Sequence, residues 1–128
     1  MQEMSKKLKT HKDLDVWKES MKLAKEIYIL TRLFPEEEMC GMVSQMRRCA
    51  VSIPSNIAEG AARNSKKEFL QFLCISPVSV YELETRYILA KEFGYTKSIV
   101  SIEDYIESIR QILSGLISYF LIFHNFLI

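Results

Sequence analysis

Arg47 and Arg48 are adjacent in a stretch, Gln45 to Ala58, that holds no other charge. A guanidinium is a planar fork able to grip a carboxylate or a phosphate with two parallel hydrogen bonds. Two chemistries are therefore open. At 100° per residue, Arg48 falls on the row Gln45/Ser52/Glu59, and Arg47 lies about 100° away. In the first reading, Arg48 belongs to a polar seam of Gln45, Ser52, Pro54, Asn56 and Glu59. There it pairs with Glu82 or Glu84 from another helix. In the second, Arg47 and Arg48 contact nucleic-acid phosphate. Arg63, Lys66 and Lys67 form a second basic group with the same ambiguity. They are either a solvated turn offset by Glu59 and Glu68, or a nucleic-acid contact that gains strength when repeated around a symmetric assembly.

Catalytic signatures are thin. His11 and His124 are the only histidines and sit near opposite ends of the chain. Ser52 and Ser55 have no histidine near them in sequence. There is no Glu-x-x-His pair of the kind that builds a di-iron bundle site, no phosphate-cradling glycine loop and no Cys-x-x-Cys. Cys40, Cys49 and Cys74 are odd in number and too far apart for a zinc motif, so they read as reduced thiols of a cytosolic protein. No catalytic residue, metal or cofactor is assigned. The 17 basic and 16 acidic side chains leave a net charge of +1, which gives no global pull toward nucleic acid or membrane.

The elements that must position these residues are helices. Only four glycines and three prolines occur in 128 residues, and no strand pattern competes. The first helix is expected over Asp13–Phe34. One apolar stripe holds Leu14, Trp17, Met21, Ala24 and Tyr28, and a second holds Val16, Leu23, Ile27, Leu30 and Phe34. Together they span roughly 200°, about twice a core-facing stripe. Such a helix buries one stripe in its own core and offers the other to a partner. The second helix is expected from Pro35 to a left-handed cap at Gly60, bent by Pro54. Ser65 and Glu68 form a capping box that opens the third helix, which runs to Phe93 with a further bend at Pro77. Its core row is Phe69, Phe72, Leu73, Ser76, Val80, Leu83, Tyr87 and Ala90. Phe69 to Tyr81 carries no charge, which is unusual for a helix with one face in water. The fourth helix starts near Ser101 on the row Ile102, Tyr105, Ile106, Ile109, Leu113, Leu116, Phe120 and Phe123. Short loops between long helices imply an all-α, antiparallel up-down-up-down four-helix bundle. One domain covers residues 1–128, with 1–12 flexible and 121–128 an apolar tail. Polar interruptions in the last helix argue against a membrane span.

Several motifs occur in order: Val16-Trp17-Lys18, Phe34-Pro35-Glu36, the run from Gln45 to Gly60, Glu68-Phe69, Phe72-Leu73 and Glu82-Leu83-Glu84-Thr85. In these the chain resembles the four-helix-bundle proteins encoded within intervening sequences of bacterial 23S ribosomal RNA genes. It is also similar to the accessory protein of diversity-generating retroelements, which binds a reverse transcriptase and nucleic acid. The resemblance covers about residues 13–118 and implies a ring-like homopentamer. It departs from the family at Pro77-Val78-Ser79, where a Gly-Ser pair is usual. The expectation is a non-catalytic oligomeric scaffold, cytoplasmic, whose partners are copies of itself and either a nucleic-acid-processing protein or structured RNA. The alternative is a small enzyme with its site at a subunit junction.

Overall fold

The computed structural model describes the backbone of residues 10–127 and the side chains of residues 10–122. Residues 1–9, most of the segment expected to be flexible, lie outside the described residues, as do the side chains of Phe123 and His124. Thr10–Asp13 form a capped turn. Thr10 Oγ1 accepts from Lys12 N, and Asp13 Oδ2 accepts from Thr10 N, both at 3.2 Å. Four α-helices follow: α1 (Asp15–Thr31), α2 (Ser44–Ala61), α3 (Lys66–Glu92) and α4 (Val100–Leu127), with no strand among the described residues.

α1 stops three residues short of the expected Phe34. Proline clashes with a helical conformation at the residue before it, so Phe34 must leave the helix ahead of Pro35. The chain turns through i→i+3 bonds, Leu33 N to Leu30 O and Phe34 N to Thr31 O. α2 is also shorter than expected. Pro35 does not start it. A 3-10 turn (Glu36–Glu38) and a π-type turn (Met39–Val43) intervene, broken at Gly41 with φ −107° and ψ −106°. Glu38 spans the break, its Oε1 accepting Met42 N at 3.3 Å.

Gly60 corrects another expectation. It is not a left-handed cap but a buried helical residue. A Cβ there would lie 2.7 Å from Phe72 Cβ and 3.0 Å from a Phe69 ring carbon, so only glycine lets α3 approach this closely. The one positive-φ glycine among the described residues is Gly94, φ 79°, just past α3. Ser65 caps α3 as expected, accepting Glu68 N at 3.1 Å. α2 continues through Pro54 and α3 through Pro77, and Pro54 itself is buried.

Cross-helix contacts set the topology. Along α2 and α3, Gly60 meets Phe72, Ile53 meets Ser76, and Ser52 meets Ser79. Along α3 and α4, Tyr87 meets Glu103, Glu84 meets Arg110, and Phe69 meets Phe120. Residue numbers rise on one helix as they fall on the other, so both pairs run antiparallel. Helix α1 packs against α2, and α4 closes the bundle on α1. Val16, Leu23, Ile27, Leu30 and Phe34, the second stripe of α1, all point into the core with Met46, Ile53, Ile57, Leu73, Leu83, Ile109 and Leu113. From the first stripe Leu14 is buried, Trp17 and Ala24 are half-buried, and Met21 and Tyr28 are exposed. On α3, Ile75, Val78, Tyr81, Ile88 and Leu89 are exposed, with Val78 at 65%. α4 is helical through Leu127, and the apolar tail expected over 121–128 falls mostly on side chains outside the described residues.

Candidate functional site

A groove of about 540 Å³, open to solvent, runs between the end of α1 and the start of α2. Tyr28 on α1, Met39 and Val43 on the π-type turn, and Ser44, Arg47, Arg48, Val51 and Ser52 on α2 line it. Arg48 follows Ser44 by four residues, and Val51 and Ser52 follow Arg48 by three and four, so they share one helical face. The break at Gly41 swings Met39 and Val43 into position as an end wall.

Arg47 is tightly held. Its Nε donates to Thr31 Oγ1 at 2.9 Å and its Nη2 to the Tyr28 carbonyl at 3.3 Å. Its guanidinium lies 4.6 Å from the centre of the Tyr28 ring, within cation–π range. Thr31 Oγ1 in turn donates to Ile27 O at 2.7 Å, which fixes the hydroxyl that receives Arg47. The seam reading of Arg48 is not what the fold adopts. Arg48 is exposed and donates to Gln45 Oε1, one turn earlier on its own helix. It forms no ion pair with Glu82 or Glu84. Glu82 is taken by Arg86, four residues along α3, at 3.0 Å, and Glu84 by Arg110 of α4 at 3.1 Å. An i,i+4 partner on the same helix needs no cross-helix reach, so it wins the carboxylate. The neighbouring Cys49 thiol, then Arg86, holds the Glu82 carboxyl below its usual range, and Arg48 contributes least. Burial, followed by Glu82, pushes the Cys49 thiol up to about 11.

The rest of the seam serves the backbone. Pro54 offers no N–H to the helix. Around it, Ser52 Oγ donates to Cys49 O at 2.8 Å, Ser55 Oγ to Val51 O at 2.8 Å, and Asn56 Nδ2 to Ser52 O at 2.8 Å. Ser76 Oγ reaches across from α3 to Ile53 O at 3.3 Å, and Ser52 Oγ meets Ser79 Oγ at 2.6 Å. These hydroxyls are engaged in holding two helices together around a proline. Glu59 is exposed at the far end of the row.

The five basic candidates do not form one patch. Arg47 and Arg48 sit in the first turns of α2, whereas Arg63, Lys66 and Lys67 lie beyond its end. At 1.5 Å rise per residue the two groups are about 20 Å apart. Arg63, Lys66 and Lys67 are all exposed, and Arg63 stacks over Phe72 at 5.0 Å. Sequence reasoning missed Tyr28, Met39, Val43, Ser44 and Val51 as groove residues and Thr31 as the anchor of Arg47. A polar β-branched Thr31 between two apolar stripes was the available signal.

The groove's end wall is tied to the opposite loop. Tyr95, just past α3, donates its hydroxyl to Glu38 Oε2 at 2.6 Å. That bond, then the Met42 amide, holds the Glu38 carboxyl below its usual range, while Glu38 raises the Tyr95 phenol. Phe34 packs its ring 5.5 Å from that of Tyr95. Among the described residues no group of His, Cys, Asp or Glu is arranged to hold a metal ion, and no helix is long and apolar enough to cross a membrane.

No curated protein matches the chain. Residues 12–115, which include α1, α2, α3 and the first half of α4, match the family described as 23S rRNA-intervening sequence protein. The chain belongs to that family.

Proposed function

We propose that this protein is a non-catalytic scaffold that assembles with copies of itself into a ring and presents the remaining surface to a partner. The observation that carries the reading is a pair of unlike apolar surfaces on α1 and α3. The α3 arc offers Ile75, Val78 and Tyr81, with Ile88 and Leu89 further along, and the α1 stripe offers Met21 beside the half-buried Trp17 and Ala24. A contact between two different faces is heterologous, and heterologous contacts close into rings when the rotation between successive copies closes. Five copies is the number that the family resemblance implies. The partner class is a protein or structured RNA, the latter met at Arg63, Lys66 and Lys67. The groove hydroxyls support a non-catalytic role, because Ser44 and Ser52 donate to backbone carbonyls and none of the described residues that line the groove is a histidine.

Light scattering at micromolar concentration should return a multiple of the 14.9 kDa chain mass. Val78→Asp should lower that mass to the monomer with unchanged helical circular dichroism. A monomeric wild type would end the reading.

A further inference from the structure

We propose that the groove between α1 and α2 docks a short acidic, apolar segment of a partner protein, a proposal that rests on the scaffold reading above. The segment's carboxylate meets Arg47 and Arg48 while its apolar side chains lie on Met39 and Val51.

Charge complementarity carries the choice of occupant. Neither arginine forms an ion pair among the described residues, although Arg86 and Arg110 both do. A guanidinium has five N–H donors. Arg47 commits two of its groups, to Thr31 and the Tyr28 carbonyl, and the rest face the groove wall without a carboxylate. Those two bonds and the Tyr28 ring pin the fork before any ligand arrives, which lowers the ordering cost of binding. The surrounding surface is apolar, with Met39 53% and Val51 42% exposed. A volume of about 540 Å³ suits a few side chains, and its openness suits a segment laid along it more than a small molecule enclosed by it.

Two other occupants fit less well. Nucleic acid would bring a continuous track of phosphates past Glu36, Glu37 and Glu38, which lead into Met39 at the groove edge, whereas a segment with its carboxylate at Arg47 and Arg48 and its apolar side chains toward Met39 keeps negative charge away from them. Arg47 already lies over Tyr28, the aromatic side chain among the described groove residues, and competes with any base for that ring face. A second copy presenting its α3 arc would bring an uncharged surface. The α3 carboxylates nearest to it, Glu82 and Glu84, are held by Arg86 and Arg110. Such a contact would strip water from two arginines and return no charge.

The test uses the full chain and a fluorescently labelled synthetic helical peptide with leucines on one face and glutamates beside them. A glutamine-for-glutamate counterpart and an unlabelled RNA hairpin serve as comparisons. The acidic peptide should bind. Replacing its glutamates, or introducing Arg48→Gln, should weaken binding about fivefold or more, since charge-assisted hydrogen bonds are lost. Val51→Asp, on the exposed apolar surface, should weaken it as well. Equal affinity for the two peptides would overturn the proposal. Displacement by the hairpin, with a steep fall in hairpin affinity as salt rises, would give the groove to nucleic acid. Loss of oligomer mass in Arg48→Gln would give it to a second copy. An oligomer that ignores the acidic peptide sinks the docking proposal alone, whereas a monomer that binds it sinks the assembly reading alone.

Discussion

On its α3 flank, α2 presents Cys49, Ser52, Ile53, Asn56 and Gly60, all small or fully engaged. On its α1 flank it presents Arg47, Arg48, Val51 and Ser44 around an open groove. Both flanks come from one run of sequence with a similar mix of polar and apolar residues. The seam is closed: each seam hydroxyl has a partner, a glycine admits a phenylalanine, and a buried thiol meets a carboxylate. The groove is unfinished, with two cations that meet no carboxylate among the described residues and two apolar side chains, Met39 and Val51, exposed to solvent. Polar residues in this motif therefore divide by what they satisfy. Those facing α3 complete the backbone around Pro54, and those facing outward have capacity left for something else.

The strongest test of this contrast is Gly60→Ala. In an open helix that change stabilises by up to about 1 kcal/mol. Here the new methyl would meet Phe72 Cβ at 2.7 Å, so the expected sign reverses, to a loss of about 1–3 kcal/mol by urea denaturation. Gly115→Ala is the control, because nothing lies within 4 Å of its Cβ position, and it should stabilise. Equal effects at the two glycines would show that the seam is not close-packed.

The groove wall is probed by pH. Glu38 has its carboxyl lowered from 4.5, first by Tyr95 and then by the Met42 amide. A depressed folded value means that the contribution is present above 4.5 and is lost as pH falls through the lowered value. Tyr95 is raised from 10.0 by the same bond, so the contribution is also lost as pH rises beyond that value. The stability difference between wild type and Tyr95→Phe should form a plateau between these limits and shrink on the acid side. A difference that stays constant down to strongly acidic pH would show that the Glu38 carboxylate does not hold the wall.

The smallest effect is expected at Arg48. Exposed and bonded only to Gln45, it should lose less than about 0.5 kcal/mol on Arg48→Ala. A loss of 2 kcal/mol or more, roughly what a buried carboxylate stripped of its partner costs, would restore the seam reading.

Much of the bundle was legible because helical period reports burial. The stripe Val16, Leu23, Ile27, Leu30 and Phe34 is wholly buried, as is the α3 row apart from Phe72, which is half-buried. The cap at Ser65 was equally local, since serine and glutamate three residues apart satisfy the same helix end. The π-type turn was not readable, because what closes it over Gly41 is Glu38 held by Tyr95, 57 residues later. Gly60 was misread for a related reason: a glycine near a helix end looks the same whether a turn or an approaching helix requires it. Arg48 was assigned the wrong partner although the cue was present. Glu82 and Arg86 are four residues apart, the spacing at which ion pairs form along one helix. The groove escaped notice because its lining comes from α1, a turn and α2, and no single period marks all three.

The proline at the centre of the seam has a kinetic consequence. An interior proline costs a helix about 3 kcal/mol, and serine and asparagine add little to offset it. Helix nucleation is already unfavourable in so short a segment. α2 therefore does not persist by itself in the unfolded chain. It condenses as α3 docks and supplies Ser76 and Ser79, with only residues 62–65 between the two helices to close. The loop-closure entropy is small for so short a link. The hairpin of α2 and α3 is accordingly the expected seed of folding, in which a weakness written into one helix makes two helices form together.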